Sequence, residues 1–259
     1  MWSRTFGSLL WGLTDMALGP DGRFELKTRT MHPSQAHAAG IDVGLRAYML
    51  RVYNYMTGAL ALTGAVSLAV ASSPAALQMI FGTPLAWVVM LSPLAFVLVL
   101  SFGIHKMQTS TAQAVFWAFA AVMGLSMASI FIQYTGLSIA RVFFISAATF
   151  AGMSLYGYTT KRDLSGFGSF LFMGLIGIVI ASLVNLFLQS TAMHFVISVI
   201  GVLVFVGLTA YDTQRIKATY NELDSADTHT KKAIYGALSL YLDFINLFLM
   251  LLRLFGDRR

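Results

Sequence analysis

The chain has 259 residues, of which 57% are hydrophobic and only 11% are charged, whereas a soluble domain carries about 25% charged residues. Its net charge is +6, but the basic residues lie in short segments beside apolar runs, so no nucleic-acid partner is expected. Cysteine is absent, which excludes disulfides, thiolate zinc sites, iron–sulfur clusters and cysteine nucleophiles. We therefore expect a protein that has the lipid bilayer as its solvent and no cofactor.

The first 45 residues are weakly patterned and include Gly-Pro-Asp-Gly at 19–22. This composition is typical of a flexible extramembrane segment. Further along, no linker divides the chain. We predict a flexible cytoplasmic tail over 1–45 and a single membrane domain over 46–259.

Seven apolar runs then follow in chain order. They are Val52–Ala71, Leu85–Ile104, Ala112–Ile132, Val142–Thr159, Phe167–Leu188, Phe195–Tyr211 and Ile234–Leu254. Each is close to the ~20 residues needed to cross ~30 Å of hydrocarbon at 1.5 Å per residue. Because a lipid-exposed backbone must satisfy its hydrogen bonds within the segment, the runs must be helices. The sequence predicts an all-α polytopic membrane protein with seven transmembrane helices.

Lysine and arginine in the loops set the orientation, since positive residues stay on the cytoplasmic side. If the N-terminus is cytoplasmic, that side receives Arg46, Arg51, Lys106, Lys161, Arg162, Arg215, Lys217, Lys231 and Lys232. The opposite side receives Arg141, Arg253, Arg258 and Arg259. We expect a cytoplasmic N-terminus and, after seven spans, a C-terminus outside.

Asp243 is an acid inside the last span, about 15 Å beyond Ala233 along the helix. A charge at the bilayer centre costs at least about 2.5–3.5 kcal/mol, so such an acid indicates a function. The polar residues that share its helix face are Tyr235, Ser239, Asn246 and Arg253. We expect this stripe to face inward and the last helix to lie centrally. The alternative is that the stripe is only polar glue between helices.

Asp212 closes the sixth run in the sequence Tyr211-Asp212-Thr213-Gln214. It lies near the membrane boundary, and Arg215 three residues on could simply neutralise it on the helix surface. If the sixth and seventh helices are neighbours, Asp212 and Asp243 could meet in a cytoplasm-facing cavity. Two carboxyls in contact cannot both ionise without strong repulsion, so they would share one proton. Losing that proton would favour separation of the helices or capture of a cation.

Calcium is the cation that an oxygen-only site of this kind suits best, but it prefers six to eight oxygen ligands. Asp212 and Asp243, with Asn246, Ser239 and backbone carbonyls, supply only a partial set. We therefore predict a weak calcium site on the two aspartates, which fits a leak pathway better than tight storage.

Three segments carry a family resemblance. They are Ser154–Leu164, with the sequence SLYGYTTKRDL, the Tyr211–Gln214 turn, and Leu240–Phe248, with the sequence LYLDFINLF. With these segments the chain, from about Asp42 to Arg259, resembles the Bax inhibitor-1 family, also called the transmembrane BAX inhibitor motif family, in its short bacterial form.

The resemblance implies a seven-helix fold in which two three-helix layers enclose the C-terminal helix. It also implies a pH-responsive aspartate pair, at Asp212 and Asp243, that gates a calcium leak. Some members place a latching arginine on the second span, but no arginine lies in Leu85–Ile104. The bacterial resemblance implies an inner membrane location. The family is further associated with suppression of cell death in eukaryotes and with regulation of membrane proteases in bacteria.

The leading hypothesis is thus a pH-gated cation leak channel, for calcium, in which the aspartate pair is the proton sensor. The alternative is a non-conducting regulatory protein that binds another membrane protein, such as a membrane protease or a stress-response factor. A third idea, an intramembrane aspartyl protease, rests on a Tyr-Asp on one span and an Asp on the next. The glycines that such enzymes carry near the second acid are missing from Tyr241-Leu242-Asp243, so we predict that the protein is not an enzyme.

Overall fold

The computed structural model describes residues 16–18, 24–26 and 33–259, with side chains from residue 43 onward. The chain divides into two units, Met1–Val43 and Gly44–Arg259. In the first unit, strands β1 (Met16–Leu18) and β2 (Phe24–Leu26) pair antiparallel. The rest of the predicted tail before residue 33 lies outside the described residues, and the flexibility of the tail stays a prediction.

Nine helices follow in the described part of the chain. They are α1 (Pro33–Ala71), α2 (Pro74–Phe81), α3 (Leu85–Gly103), α4 (Thr109–Met127), α5 (Ile130–Gln133), α6 (Gly136–Thr159), α7 (Ser165–Leu188), α8 (Thr191–Ala218) and α9 (Ala226–Phe255). The first helix therefore begins inside the predicted tail, before the first apolar run.

Seven spans among the described residues are long and apolar enough to cross a membrane. They are Val43–Ala71, Leu85–Gly103, Thr109–Gln133, Gly136–Thr159, Ser165–Leu188, Thr191–Ala218 and Ala226–Phe255. The third span combines α4 and α5. The prediction of an all-α polytopic membrane protein with seven transmembrane helices is confirmed.

The last two helices are longer than their apolar runs. Helix α8 continues past Tyr211 to Ala218, because Arg215 and Lys217 are good helix formers and their charges favour the negative end of the helix dipole. Hydropathy marks the part of a helix that lies in the membrane and not the end of the helix itself. The apolar run therefore stops about two turns before α8 ends.

Helix α9 begins at Ala226, well before the apolar run, because its start carries two helix-initiating signals. The side chain of Ser225 accepts a hydrogen bond from the Thr228 amide at 3.3 Å, and Asp227 lies in the first turn. Both features compensate the unpaired amides and the positive end of a helix. The start of α9 therefore extends into the loop.

Packing in the second unit encloses α9 more than any other described span. Helix α9 lies against α3, α4, α6 and α8, and 61% of its membrane window is buried, compared with 17–39% in the other spans. Its Tyr241 is fully buried, packs edge-on against Phe119 of α4, and is hydrogen-bonded to Thr63 of α1 at 2.7 Å. A group placed midway along α9 is therefore shielded by several helices.

Polar contacts gather the loops at two ends of the bundle. At one end Thr109 donates to Asp227 and Arg51 donates to Thr230, which joins the starts of α4 and α9 to α1. We call this the basic end, since it carries the nine lysines and arginines assigned above to the cytoplasmic side. At the other end Arg141 pairs with Asp257 at 3.0 Å.

Candidate functional site

Asp243 lies about 25 Å from the start of α9 and about 18 Å from its end, at 1.5 Å per residue. Only 6% of the surface of Asp243 is exposed. Both neighbours in sequence, Leu242 and Phe244, are apolar, and Phe244 is itself buried. The carboxyl group is therefore held away from either helix end, in the interior of the second unit.

One carboxyl oxygen of Asp243 has no partner. Its Oδ2 is buried and accepts no hydrogen bond within the described part of the chain. An unpaired buried polar atom is costly, and an unpaired buried charge costs far more. Native proteins keep few such groups, so this oxygen is the strongest indication of a functional position.

Asp212 lies on α8, near the end where Arg215 neutralises it. The Nε of Arg215 is 3.8 Å from Oδ1 of Asp212, and the side chain of Asp212 is 14% exposed compared with 45% for Arg215. The guanidinium also lies 5.8 Å from the ring centroid of Tyr211. The surface ion pair considered in the sequence is therefore present, but its acid is largely buried.

The structure places the two aspartates on helices that pack against each other. Helices α8 and α9 are packed neighbours, and the carboxyl of Asp243 lies within electrostatic range of both Asp212 and Arg215. Arg215 of α8 is 3.8 Å from Asp212 and also acts electrostatically on Asp243, although the second span carries no arginine. Asp212 and Asp243 can meet only if the sixth and seventh spans are neighbours, and these two helices are neighbours.

The polar stripe on α9 does not face inward as expected. Tyr235 and Arg253 are exposed, and Ser239 and Asn246 are only partly buried, whereas Asp243 is buried. At about 100° per residue, Tyr235, Asn246 and Arg253 fall within about 20° of one another, but Asp243 is about 60–80° away from them. Asp243 therefore belongs to the flank that turns into the protein, and the stripe itself marks the least buried face.

The side chains around the pair offer few cation ligands. Among the described residues, no three or more His, Cys, Asp or Glu side chains are grouped to hold a metal. The amide of Asn246 donates to the carbonyl of Leu242 at 2.8 Å, so the side chain is engaged within its own helix. The predicted calcium site on Asp212 and Asp243 would have two carboxylates, and it stays a prediction.

A buried hydroxyl network fixes α8 immediately beside Asp212. The Tyr53 hydroxyl of α1 is 2.6 Å from Oγ of Ser154 on α6, which is 2.9 Å from Oγ1 of Thr213 on α8. Thr213 in turn donates to the carbonyl of Thr209 at 2.7 Å. Three helices are thereby held in one arrangement next to the acid. Nothing in the local sequence identifies Tyr53 and Thr213 as the partners of Ser154.

The loop between α6 and α7 is held by the end of α8. Gln214 donates to the carbonyl of Arg162 at 2.7 Å and accepts from the amide of Leu164 at 2.9 Å. Lys217 donates to the carbonyl of Tyr158 at 2.8 Å and lies over its ring. The motif residues in the two segments therefore bind each other, which gives them an architectural role around Asp212.

Comparison with known sequences gives a match to one protein family. The sequence model of the family described as inhibitor of apoptosis-promoting Bax1 matches residues 45–259. The chain belongs to the Bax inhibitor-1 family. The resemblance noted in the sequence is confirmed, and the match covers the whole second unit except its first residue.

Relatives of this Bax inhibitor-1 family member are similar over most of their length. The Escherichia coli K12 protein named inner membrane protein YbhL is 52% identical over 83% of this chain and 94% of its own. Uncharacterised proteins of Rickettsia prowazekii and Caulobacter vibrioides are 49% and 45% identical, over 84% and 88% of this chain and 92% and 95% of their own. The family match over residues 45–259 contains both of the helices that carry Asp212 and Asp243.

Proposed function

We propose that this protein is a pH-gated cation leak for calcium, with Asp212 and Asp243 as its proton sensor. The observation that carries the proposal is the buried carboxyl of Asp243. It lies midway along the most enclosed of the described spans, its Oδ2 has no partner among the described residues, and it is within electrostatic range of Asp212 and Arg215.

The gating follows from charge in a water-poor interior. While the pair of aspartates holds a proton, Arg215 is enough to balance the remaining negative charge. When the proton is lost, a second carboxylate is left without a compensating group, which is costly unless water or a cation meets it. We infer that this charge draws a cation between α8 and α9, so that the leak rises as the proton is lost with increasing pH.

Calcium flux into liposomes that contain the purified protein tests this proposal across a series of pH values. We expect Asp243→Asn and Asp212→Asn to abolish the pH dependence, because an amide cannot exchange a proton in this range. Asp227→Asn is the matched control, since it makes the same change on α9 in an exposed residue of the first turn. Unchanged pH dependence in the first two variants would remove the aspartates from the mechanism.

We also propose a bacterial inner membrane location with the N-terminus in the cytoplasm. The name of YbhL supports the membrane, and the lysines and arginines concentrated at the basic end support the orientation. Because the chain has no cysteine, single cysteines report accessibility without background. We expect an impermeant thiol reagent to label Leu137→Cys in cells whose cytoplasmic membrane is intact, and Lys161→Cys only after that membrane is broken. The reverse pattern would invert the orientation.

The second candidate is a regulatory protein without catalytic activity that binds another membrane protein and conducts no ion. The sparse ligand set favours it, since no three His, Cys, Asp or Glu side chains are grouped among the described residues and Asn246 is engaged within α9. Crosslinking in native membranes addresses this candidate. Recovery of only monomer or self-association would count against it, and flux that depends on Asp243 would favour the leak.

A further inference from the structure

A basic cavity lies at the basic end of the bundle, apart from the buried carboxyl of Asp243. It has a volume of about 370 Å³ and lies between Tyr48 of α1, the end of α3, the last turns of α8 and the first turns of α9. The basic side chains that line it are His105, Arg215, Lys231 and Lys232. This volume lies within the range of about 300–1,000 Å³ that is typical of small-molecule pockets.

The positive charge in this cavity is only partly balanced. Arg215 pairs with Asp212 at 3.8 Å, and Lys232 pairs with Asp224 at 2.5 Å. Lys231, which is partly buried, has no ion pair or hydrogen bond among the described residues, and no carboxylate is among those lining the cavity. The cavity therefore presents at least one uncompensated cation, and an anion would complete it.

The other lining groups suit a phosphate in particular. Lysine and arginine form their strongest charge-assisted hydrogen bonds with phosphate and carboxylate oxygens. Thr219, Thr228 and the exposed Tyr235 add hydroxyl groups, while Ile104 and Ile216 form an apolar wall. A ligand with a phosphate group attached to an apolar group would match both the polar and the apolar lining of the cavity.

The position of the cavity points to the membrane surface. It lies where α3 and α8 end and α9 begins, which is the depth at which lipid headgroups meet a transmembrane bundle. Basic pockets between transmembrane helices at this level bind anionic headgroups. We propose that the cavity binds a phosphate-bearing anion, through Lys231 and its basic neighbours. The phosphate has two sources, the headgroup of an anionic phospholipid or a free phosphate of the aqueous phase.

Binding to the purified full chain in neutral detergent, measured by titration calorimetry, tests the proposal. The probes are short-chain phosphatidylglycerol, phosphatidylcholine of the same chain length, and inorganic phosphate. Binding of phosphatidylglycerol alone assigns the site to a lipid headgroup, and binding of inorganic phosphate assigns it to a soluble anion. If neither binds, or if phosphatidylcholine binds as well as phosphatidylglycerol, the proposal is overturned.

Lys231→Gln is the informative variant, because it leaves the Asp212–Arg215 pair intact. We expect it to weaken binding of the anionic probe about tenfold, the effect of one hydrogen-bonded charge. Lys231→Arg keeps the positive charge and should bind the anionic probe as the wild type does. Binding by this variant shows that the protein tolerates a substitution at position 231 and remains folded. Lys161→Gln removes the same charge at the same end from an exposed loop outside the cavity, and it should change binding less than twofold. Equal losses in Lys231→Gln and Lys161→Gln would mean non-specific attraction and overturn the site.

Discussion

Gly157 on α6 lies directly against the backbone of α8. A methyl group added there would fall on the carbonyl oxygen and Cα of Ala210, whereas a methyl group added at Gly152, also on α6, would meet nothing within 4 Å. Backbone atoms cannot rotate out of the way as side chains do. Gly157→Ala must therefore push α6 and α8 apart. The displacement occurs at Ala210, two residues before Asp212, and beside the 2.9 Å contact between Ser154 and Thr213.

The size of the effect follows from comparing the two glycines. Both variants gain about 1 kcal/mol of helix propensity, so the difference between them isolates the packing cost, about 1–3 kcal/mol for an overpacked site. We expect Gly157→Ala to lower the unfolding free energy by up to about 2 kcal/mol and Gly152→Ala to leave it equal or higher. Titration with sodium dodecyl sulfate from mixed micelles, followed by circular dichroism, measures both. Equal stability of the two variants would refute the close contact between α6 and α8.

Two further predictions concern buried and loop hydrogen bonds. Tyr241→Phe removes the hydroxyl that is 2.7 Å from Oγ1 of Thr63 and should lower the unfolding free energy by about 0.6–1 kcal/mol in the same titration; no change would contradict a net contribution from this bond. Gln214→Leu leaves the Arg162 carbonyl and the Leu164 amide without their partner, and should speed hydrogen–deuterium exchange of the loop between α6 and α7. Unaltered protection there would show that the loop is held by other contacts.

The spans and the buried acid could be predicted because membrane burial leaves a local signal. A series of seven apolar runs near 20 residues is characteristic of a polytopic helical bundle, and an acid such as Asp243 within one of them stands out against its neighbours. The ends of α8 and α9 could not be placed from hydropathy, because helix and membrane end at different residues. Capping by Ser225 and the charges of Arg215 and Lys217 carried that information instead.

Other features of the site depend on tertiary packing. Spacing placed Tyr235, Asn246 and Arg253 on one side of α9, but only the neighbouring helices decide which side is enclosed. In the same way, the hydrogen bonds of Ser154 to Thr213 and of Gln214 to the Arg162 carbonyl join residues from different elements. No local sequence pattern identifies these partners.

The central claim is that Asp212 and Asp243 hold one proton between them. Infrared spectroscopy of the carboxyl C=O stretch, followed over pH in the wild type and in Asp212→Asn and Asp243→Asn, measures it most directly. We expect each variant to change the pH at which the remaining acid titrates, and Asp227→Asn to change neither. Two acids that titrate independently, each indifferent to the loss of the other, would contradict the account.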